Sequence, residues 1–174
     1  MESNDERIYV SLDLKSPILN VKMPNNTLWY DLKNLPIHND FILKKIKNFL
    51  LIFNQQVPWN ESLTVDDVLQ FLQNDNDINV LLQENHFIGW AWQNKKVADN
   101  IKLKKGEIYQ SRWLIDKKFL FKKINKGLSI AWIQELKTYY RNNGFNKGLA
   151  YIDSWNKGVL RSVLRAGYKI NDWT

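Results

Sequence analysis

The chain has 174 residues, 44% of them hydrophobic, with eight tryptophans and a formal net charge of +7. That balance excludes a disordered chain and fits one domain, 1–174, whose hydrophobic core needs no metal or disulfide staples. The absence of cysteine excludes disulfides, thiolate–zinc sites and cysteine nucleophiles, and is compatible with a cytoplasmic location.

The acidic start, Met1-Glu2-Ser3-Asn4-Asp5-Glu6, is the opposite of a basic signal-peptide opening. Ile8, Val10 and Leu12 alternate with polar residues and predict a half-buried strand. A hairpin is expected next, through Val21 and Met23, turning at Pro24-Asn25-Asn26 and returning through Leu28 and Tyr30. Asn39 or Asp40 caps a helix with Ile42, Ile46, Phe49, Leu50 and Phe53 on one face. Its run from Phe49 to Phe53, the longest apolar one, falls far short of the roughly 20 residues of a membrane span, so none is expected. Thr64-Val65-Asp66-Asp67 resembles a capping box and opens a short helix.

Two apolar runs, Ile78 to Gln83 and His86 to Gln93, flank Glu84-Asn85 and predict an antiparallel hairpin, with Gly89 marking a bulge or a close backbone approach. The lysine-rich segment from Asn94 to Gly106 reads as an exposed loop, and Glu107 to Ile115 as the next strand. After the Lys122–Gly127 loop come a helix to about Asn142, a strand at Leu149 to Ile152 and a helix from Asn156 to Ala166. Gly167 stands where a left-handed residue ends that helix, and a last strand starts at Tyr168. Hairpins mixed with helix crossovers predict an α/β domain with a mixed, mostly antiparallel sheet and flanking helices.

Gly127 opens a helix after a basic stretch, which is one way to offer free backbone N–H groups to a phosphate. The other lysines are spread over several segments and also read as a solvated surface, so nucleic acid is not the expected partner. His38 and His86 have no metal-ligand spacing, and no serine-hydrolase elbow, Walker loop or dinucleotide fingerprint occurs.

From about Ile78 onward the chain resembles the GCN5-related N-acetyltransferases (GNAT); about 1–35 is less well matched. The family's pyrophosphate loop reads Arg or Gln, two residues, Gly, one residue, Gly or Ala. Here the register gives Lys122, Lys123-Ile124, Asn125, Lys126, Gly127. Lys122 keeps the charge without the guanidinium fork, and Asn125 replaces a glycine while tolerating a positive φ. Asn156 and Gly167-Tyr168 match the family's Asn and Gly-aromatic pair in spacing, although caps of an ordinary helix would look the same.

The resemblance implies acyl-CoA, with acetyl-CoA first, held where the fourth and fifth strands splay, and an amine acceptor. Backbone N–H groups of Asn125 to Leu128 would hold the pyrophosphate, with Lys122 and Lys123 adding charge. The backbone of Trp113, Leu114 and Ile115 would pair with the pantetheine arm, and Asn156 would contact the same arm. The family's general-acid tyrosine falls at Val163, which has no proton to give. Tyr109 stands at a glutamate-base position of some relatives, with Glu107 two residues before it, and Asp153 ends the fifth strand. Each also reads plainly as a packed aromatic, a solvated strand start and a turn former. The chain stops soon after its sixth strand begins, whereas many relatives continue into a seventh. Either the sheet closes differently or a partner chain, such as a second copy, covers the edge. The resemblance thus implies an N-acetyltransferase, against a non-catalytic acyl-CoA-binding or protein-interaction module and, third, a nucleic-acid-binding module.

Overall fold

A computed structural model of the protein describes residues 6–57, 62–98 and 101–171. In chain order the elements are β1 (Arg7–Asp13), β2 (Thr27–Asp31), α1 (Asp40–Gln56), α2 (Val65–Gln73), β3 (Asp77–Gln83), β4 (His86–Asn94), β5 (Val97–Ala98) and β6 (Ile101–Lys102). Then follow β7 (Glu107–Ile115), α3 (Lys117–Leu120), α4 (Leu128–Asn142), β8 (Lys147–Asp153), α5 (Lys157–Arg165) and β9 (Lys169–Ile170). Seven strands form a mixed, mostly antiparallel sheet in the order β2-β3-β4-β7-β8-β1-β9, while β5 and β6 form a separate ribbon. The chain divides into two compact units, one of Pro24–Asn94 with Arg112–Lys126, the other of the remaining segments. Strand β7 contributes its last four residues to the first and its start to the second.

The first unit is built on β2, β3 and β4, antiparallel throughout. Glu84 (φ 49°) and Asn85 (φ 67°) both take left-handed backbone, the signature of the tight turn whose twist suits a hairpin. A register shift after Leu81 leaves Ile88 as the extra residue of a bulge. Gly89 follows because a Cβ there would lie 2.9 Å from the Leu114 carbonyl oxygen. Both expectations for Gly89, bulge and close approach, hold together. Asn39 caps α1 by accepting the Phe41 N–H at 2.8 Å. The stripe Ile46, Phe49, Leu50 and Phe53 then packs with Ile78, Val80, Trp90 and Trp92 in one buried cluster. Phe49 and Trp90 meet edge to face at 5.0 Å, a geometry that adds to area burial. Burial first, then the charge of Asp77, pushes the Asp31 carboxyl above its ordinary range, although Lys33 lies 3.4 Å away.

The capping box of α2 is complete: Asp67 N–H donates to Thr64 Oγ1 at 3.3 Å, and Thr64 N–H donates to the Asp67 carboxylate at 2.7 Å. The Thr64 backbone and hydroxyl bonds hold the Asp67 carboxyl below its ordinary value. Its stabilisation is therefore present above the unfolded-state value and is lost as pH falls through the lowered folded one. Thr64→Ala should cost about 1 kcal/mol in urea unfolding at neutral pH, and the difference from wild type should shrink in acid.

In the second unit β1 runs antiparallel to β8 from Arg7–Asp153 to Asp13–Lys147, with β9 on its other side. The sheet thus closes with the chain's own N-terminal strand beside β8, and the strand after α5 is only two residues long. Helix α4 buries Leu128, Ala131, Trp132, Ile133, Leu136 and Tyr140. Gln134 of that helix accepts the Leu19 N–H at 3.0 Å and donates to the Ala166 carbonyl at 2.9 Å. Lys137 donates to Ser16 Oγ (2.6 Å) and the Pro17 carbonyl (2.9 Å), and desolvation lowers its pKa.

These contacts correct the expected hairpin. Residues 17–24 form no strand, because Leu19 bonds α4; the return arm exists as β2 and pairs with β3 instead. The exposed loop expected from Asn94 to Gly106 is also corrected. Ala98 and Leu103 are buried with Tyr109 and Leu149, so β5 and β6 are anchored as a ribbon.

Candidate functional site

Parallel pairing of β7 with β8 runs from Glu107–Lys147 to Tyr109–Leu149 and stops three residues into a nine-residue strand. Three residues later Arg112 adopts φ 46°, an uncommon conformation for a non-glycine residue inside a strand. Its guanidinium lies 4.7 Å from the Trp92 ring. No local feature of the sequence marks this kink. Beyond it Trp113 and Leu114 are half-buried and Ile115 is buried, and the Asp116 N–H donates to the Ile88 carbonyl at 2.7 Å. The end of β7 is thereby tied to the bulge in β4.

Asp116 caps α3 by accepting the Lys118 N–H at 3.0 Å. Residues Lys123–Asn125 then form a 3-10 turn in which the Asn125 and Lys126 N–H groups donate to the Lys122 and Lys123 carbonyls. Those two donors are engaged within the loop. Asn125 has no positive φ either, so the substitution for glycine works differently from the expectation. Its side chain is 1% exposed and donates to Gln83 Oε1 (3.1 Å) and the Phe119 carbonyl (2.8 Å). Gln83 Nε2 in turn donates to Asn125 Oδ1 at 2.7 Å and Thr27 Oγ1 at 2.8 Å. All four amide hydrogens of this buried pair have acceptors, and the loop is pinned to β3. Local reading missed the pair because Gln83 is 42 residues away.

Gly127 is the left-handed residue (φ 81°) and the N-cap of α4. Of the five α-helices described, α4 alone lacks a side-chain cap; Asn39, Thr64, Asp116 and Asn156 cap the others. Its first turn holds no acidic residue, and its first helical bond is Ala131 N–H to the Gly127 carbonyl. The N–H groups of Leu128, Ser129 and Ile130 precede that bond and have no intrahelical partner, at the positive end of a fifteen-residue helix dipole. Lys122, Lys123 and Lys126 are exposed; Lys122 lies 4.3 Å from the Phe119 ring, and Ile124 is 65% exposed.

In the same unit as α4, Asn156 caps α5, its Oδ1 accepting the Val159 N–H at 3.3 Å, which leaves the carboxamide nitrogen outside the cap. Gly167 (φ 103°) ends the helix as expected. Val163, where the resemblance would place a tyrosine, is buried. The Tyr168 hydroxyl keeps its proton, since burial pushes its pKa far above the ordinary value. Tyr109 is 1% exposed within the ribbon's apolar cluster, 6.3 Å from the Tyr151 ring. Glu107 accepts the Lys104 N–H at 2.9 Å and lies 3.9 Å from the Lys147 ammonium. Asp153 is partly exposed and pairs with Arg7 across the β1–β8 ladder. Among the described residues no cluster of three or more acidic or histidine side chains could hold a metal ion, and no helix is long and apolar enough to cross a membrane.

No family model matches the chain, and no curated protein matches it. Solved structures do. A GCN5-related N-acetyltransferase from Sphaerobacter thermophilus superposes over 95% of this chain and 48% of its own, with a TM-score of 0.64 at 13% identity. The chain thus spans about half the length of that neighbour. A putative acetyltransferase from Salmonella typhimurium, solved with its cofactor acetyl-CoA, matches over 84% of this chain and 82% of its own (TM-score 0.62, 16% identity). An aminoglycoside acetyltransferase from an uncultured soil metagenomic sample gives a TM-score of 0.59 at 20% identity, covering 82% and 88%. The mixed, mostly antiparallel sheet with its flanking helices is the architecture these structures share: this chain has the fold of the GCN5-related N-acetyltransferases.

Proposed function

We propose that this protein is an acyl-CoA-dependent N-acyltransferase that moves an acetyl group from acetyl-CoA to a primary amine of a small molecule or protein. The observation that carries the reading is α4, the one α-helix among the described residues without a side-chain cap, led by Gly127 and following β7 in a fold shared with acetyltransferases. An anion at such a helix start is stabilised by backbone N–H donors and by the dipole. The N–H groups of Gly127, Leu128, Ser129 and Ile130 would hold the diphosphate, and Lys122, Lys123 and Lys126 would add positive charge. Asn125 serves as the pin that fixes the loop rather than as a donor to ligand. The backbone of Trp113, Leu114 and Ile115 would receive the pantetheine amides as an added strand, and the Asn156 carboxamide nitrogen would bond the same arm.

Bound acetyl-CoA supplies an activated thioester whose carbonyl carbon accepts the amine lone pair as the carbon–sulfur bond breaks. The protein's part is positioning and removal of the ammonium proton before attack. Asp153, partly exposed at the end of β8, is the base we favour over buried Tyr109 and over Glu107, whose carboxylate accepts the Lys104 N–H. With valine at 163, water rather than a tyrosine would protonate the departing thiolate. A cytoplasmic setting fits a cysteine-free chain using this donor. Buried Val163 also favours a second reading, acyl-CoA binding without turnover. Thiol release followed across a panel of amines separates the two: acceptor-dependent release supports the transferase, and tight acetyl-CoA binding with no release above background supports the binding module.

A further inference from the structure

The second unit contains a concavity of about 650 Å³ framed by the β5–β6 ribbon and the start of β7. Its wall carries Lys95, Lys96, Lys102, Lys104 and Lys105, and its apolar floor is Val97, Leu103 and Phe145. The backbone that carries these lysines is held in place. Leu103 is 8% exposed in the ribbon's apolar anchor, and its N–H donates to the Lys96 carbonyl at 3.0 Å. Gly106 (φ 85°) closes the segment, its carbonyl accepting the N–H groups of Asn146 and Lys147 at 2.8 and 3.2 Å. A Cβ at Gly106 would lie 2.5 Å from Asn146 Nδ2, so only glycine fits that turn without displacing Asn146.

Two carboxylates belong to the segment. Glu107 is engaged by the Lys104 N–H and sits 3.9 Å from Lys147, and Asp99 lies outside the described residues. Lys102, Lys104 and Lys105 are exposed around the hollow while Val97 shows 55% of its surface. Lysines gathered on one fixed frame suit a multiply charged phosphate, which they bind as point charges. The volume is within the range of small-ligand sites, and the apolar floor suits a ring.

We propose that this concavity binds a small phosphorylated organic anion of nucleotide size, separately from any acyl-CoA. The test is calorimetric titration of the full chain with ATP, with inorganic tripolyphosphate and a random single-stranded oligonucleotide as comparison probes. ATP should bind saturably at one site, more tightly than tripolyphosphate, with affinity falling as salt rises. The double variant Lys104→Glu/Lys105→Glu should lose about tenfold or more in ATP affinity, as expected for reversing two charges around a phosphate, and added acetyl-CoA should not displace ATP. If the double variant misfolds by circular dichroism, Lys102→Glu on the ribbon's other strand must show the loss instead. The proposal is overturned by absence of saturation at millimolar ATP, by unchanged affinity in the charge-reversed protein, or by displacement with acetyl-CoA. Equal affinity for tripolyphosphate would remove the organic ligand, and tighter binding of the oligonucleotide would assign the face to nucleic acid; either result also overturns it.

Discussion

Gly127→Glu is expected to weaken acetyl-CoA binding by about 100-fold, since a unit charge placed about 4 Å from a phosphate costs up to about 4 kcal/mol near a protein surface. Two effects add in this variant. A carboxylate would stand at the uncapped start of α4, where the N–H groups of Leu128 to Ile130 and the dipole favour a ligand anion. A side chain would also occupy φ 81°, at a cost of roughly 1–2 kcal/mol for a non-glycine residue. Gly127→Ala separates them. The nearest atom to an added Cβ is Val21 Cγ1 at 3.6 Å, an ordinary contact, so alanine brings the strain without the charge or a clash. Titration should show a loss of only a few-fold for alanine. Equal losses in the two variants would mean that backbone geometry, not anion binding, sets the sensitivity of this residue.

Gln83→Leu should destabilise the protein by about 2–4 kcal/mol, because it strands the buried amide groups of Asn125 and the hydroxyl of Thr27. Asn125→Leu should cost a similar amount and should also weaken acetyl-CoA binding by freeing the 3-10 turn that precedes Gly127. The double variant should be less destabilised than the sum of the two by about 1–2 kcal/mol, since neither amide is then left facing an absent partner. Urea unfolding of the four proteins gives that coupling directly. Strict additivity would show that the reciprocal amide bonds contribute little to holding the loop.

What was legible in the sequence is what local chemistry decides. Thr64 with Asp67, Asn39 before α1, the Glu84-Asn85 turn and Gly167 after α5 each specify a cap or turn through neighbours a few residues away, and each stands as read. The fold class followed from those elements in order. What was not legible depends on distant partners. Leu19 bonds Gln134, 115 residues on, and that single contact takes residues 17–24 out of a hairpin. The lysine-rich segment became a ribbon because Ala98 and Leu103 find Tyr109 and Leu149. At Asn125, tolerance of positive φ was the local reason for asparagine, whereas the structure uses its side chain on Gln83. The register of the loop was therefore readable while its hydrogen bonding was not, and the donors move from Asn125 and Lys126 toward the first turn of α4. N-terminal strand β1 is a similar case: its alternation was visible, but its place beside β8 follows from a ladder 140 residues away in sequence.

Tyr109 is packed in the ribbon's apolar cluster, Glu107 accepts the Lys104 N–H, and buried Val163 has no proton to give. The proposed cofactor site is the helix start of α4, without a side-chain cap where the other described α-helices have one.

Isothermal titration of the wild-type chain with acetyl-CoA is the decisive measurement of binding at this helix start. One acetyl-CoA per chain should bind saturably, with affinity retained by Gly127→Ala within a few-fold and lost in Gly127→Glu. No binding to the wild type, or binding that Gly127→Glu leaves unchanged, would contradict this assignment.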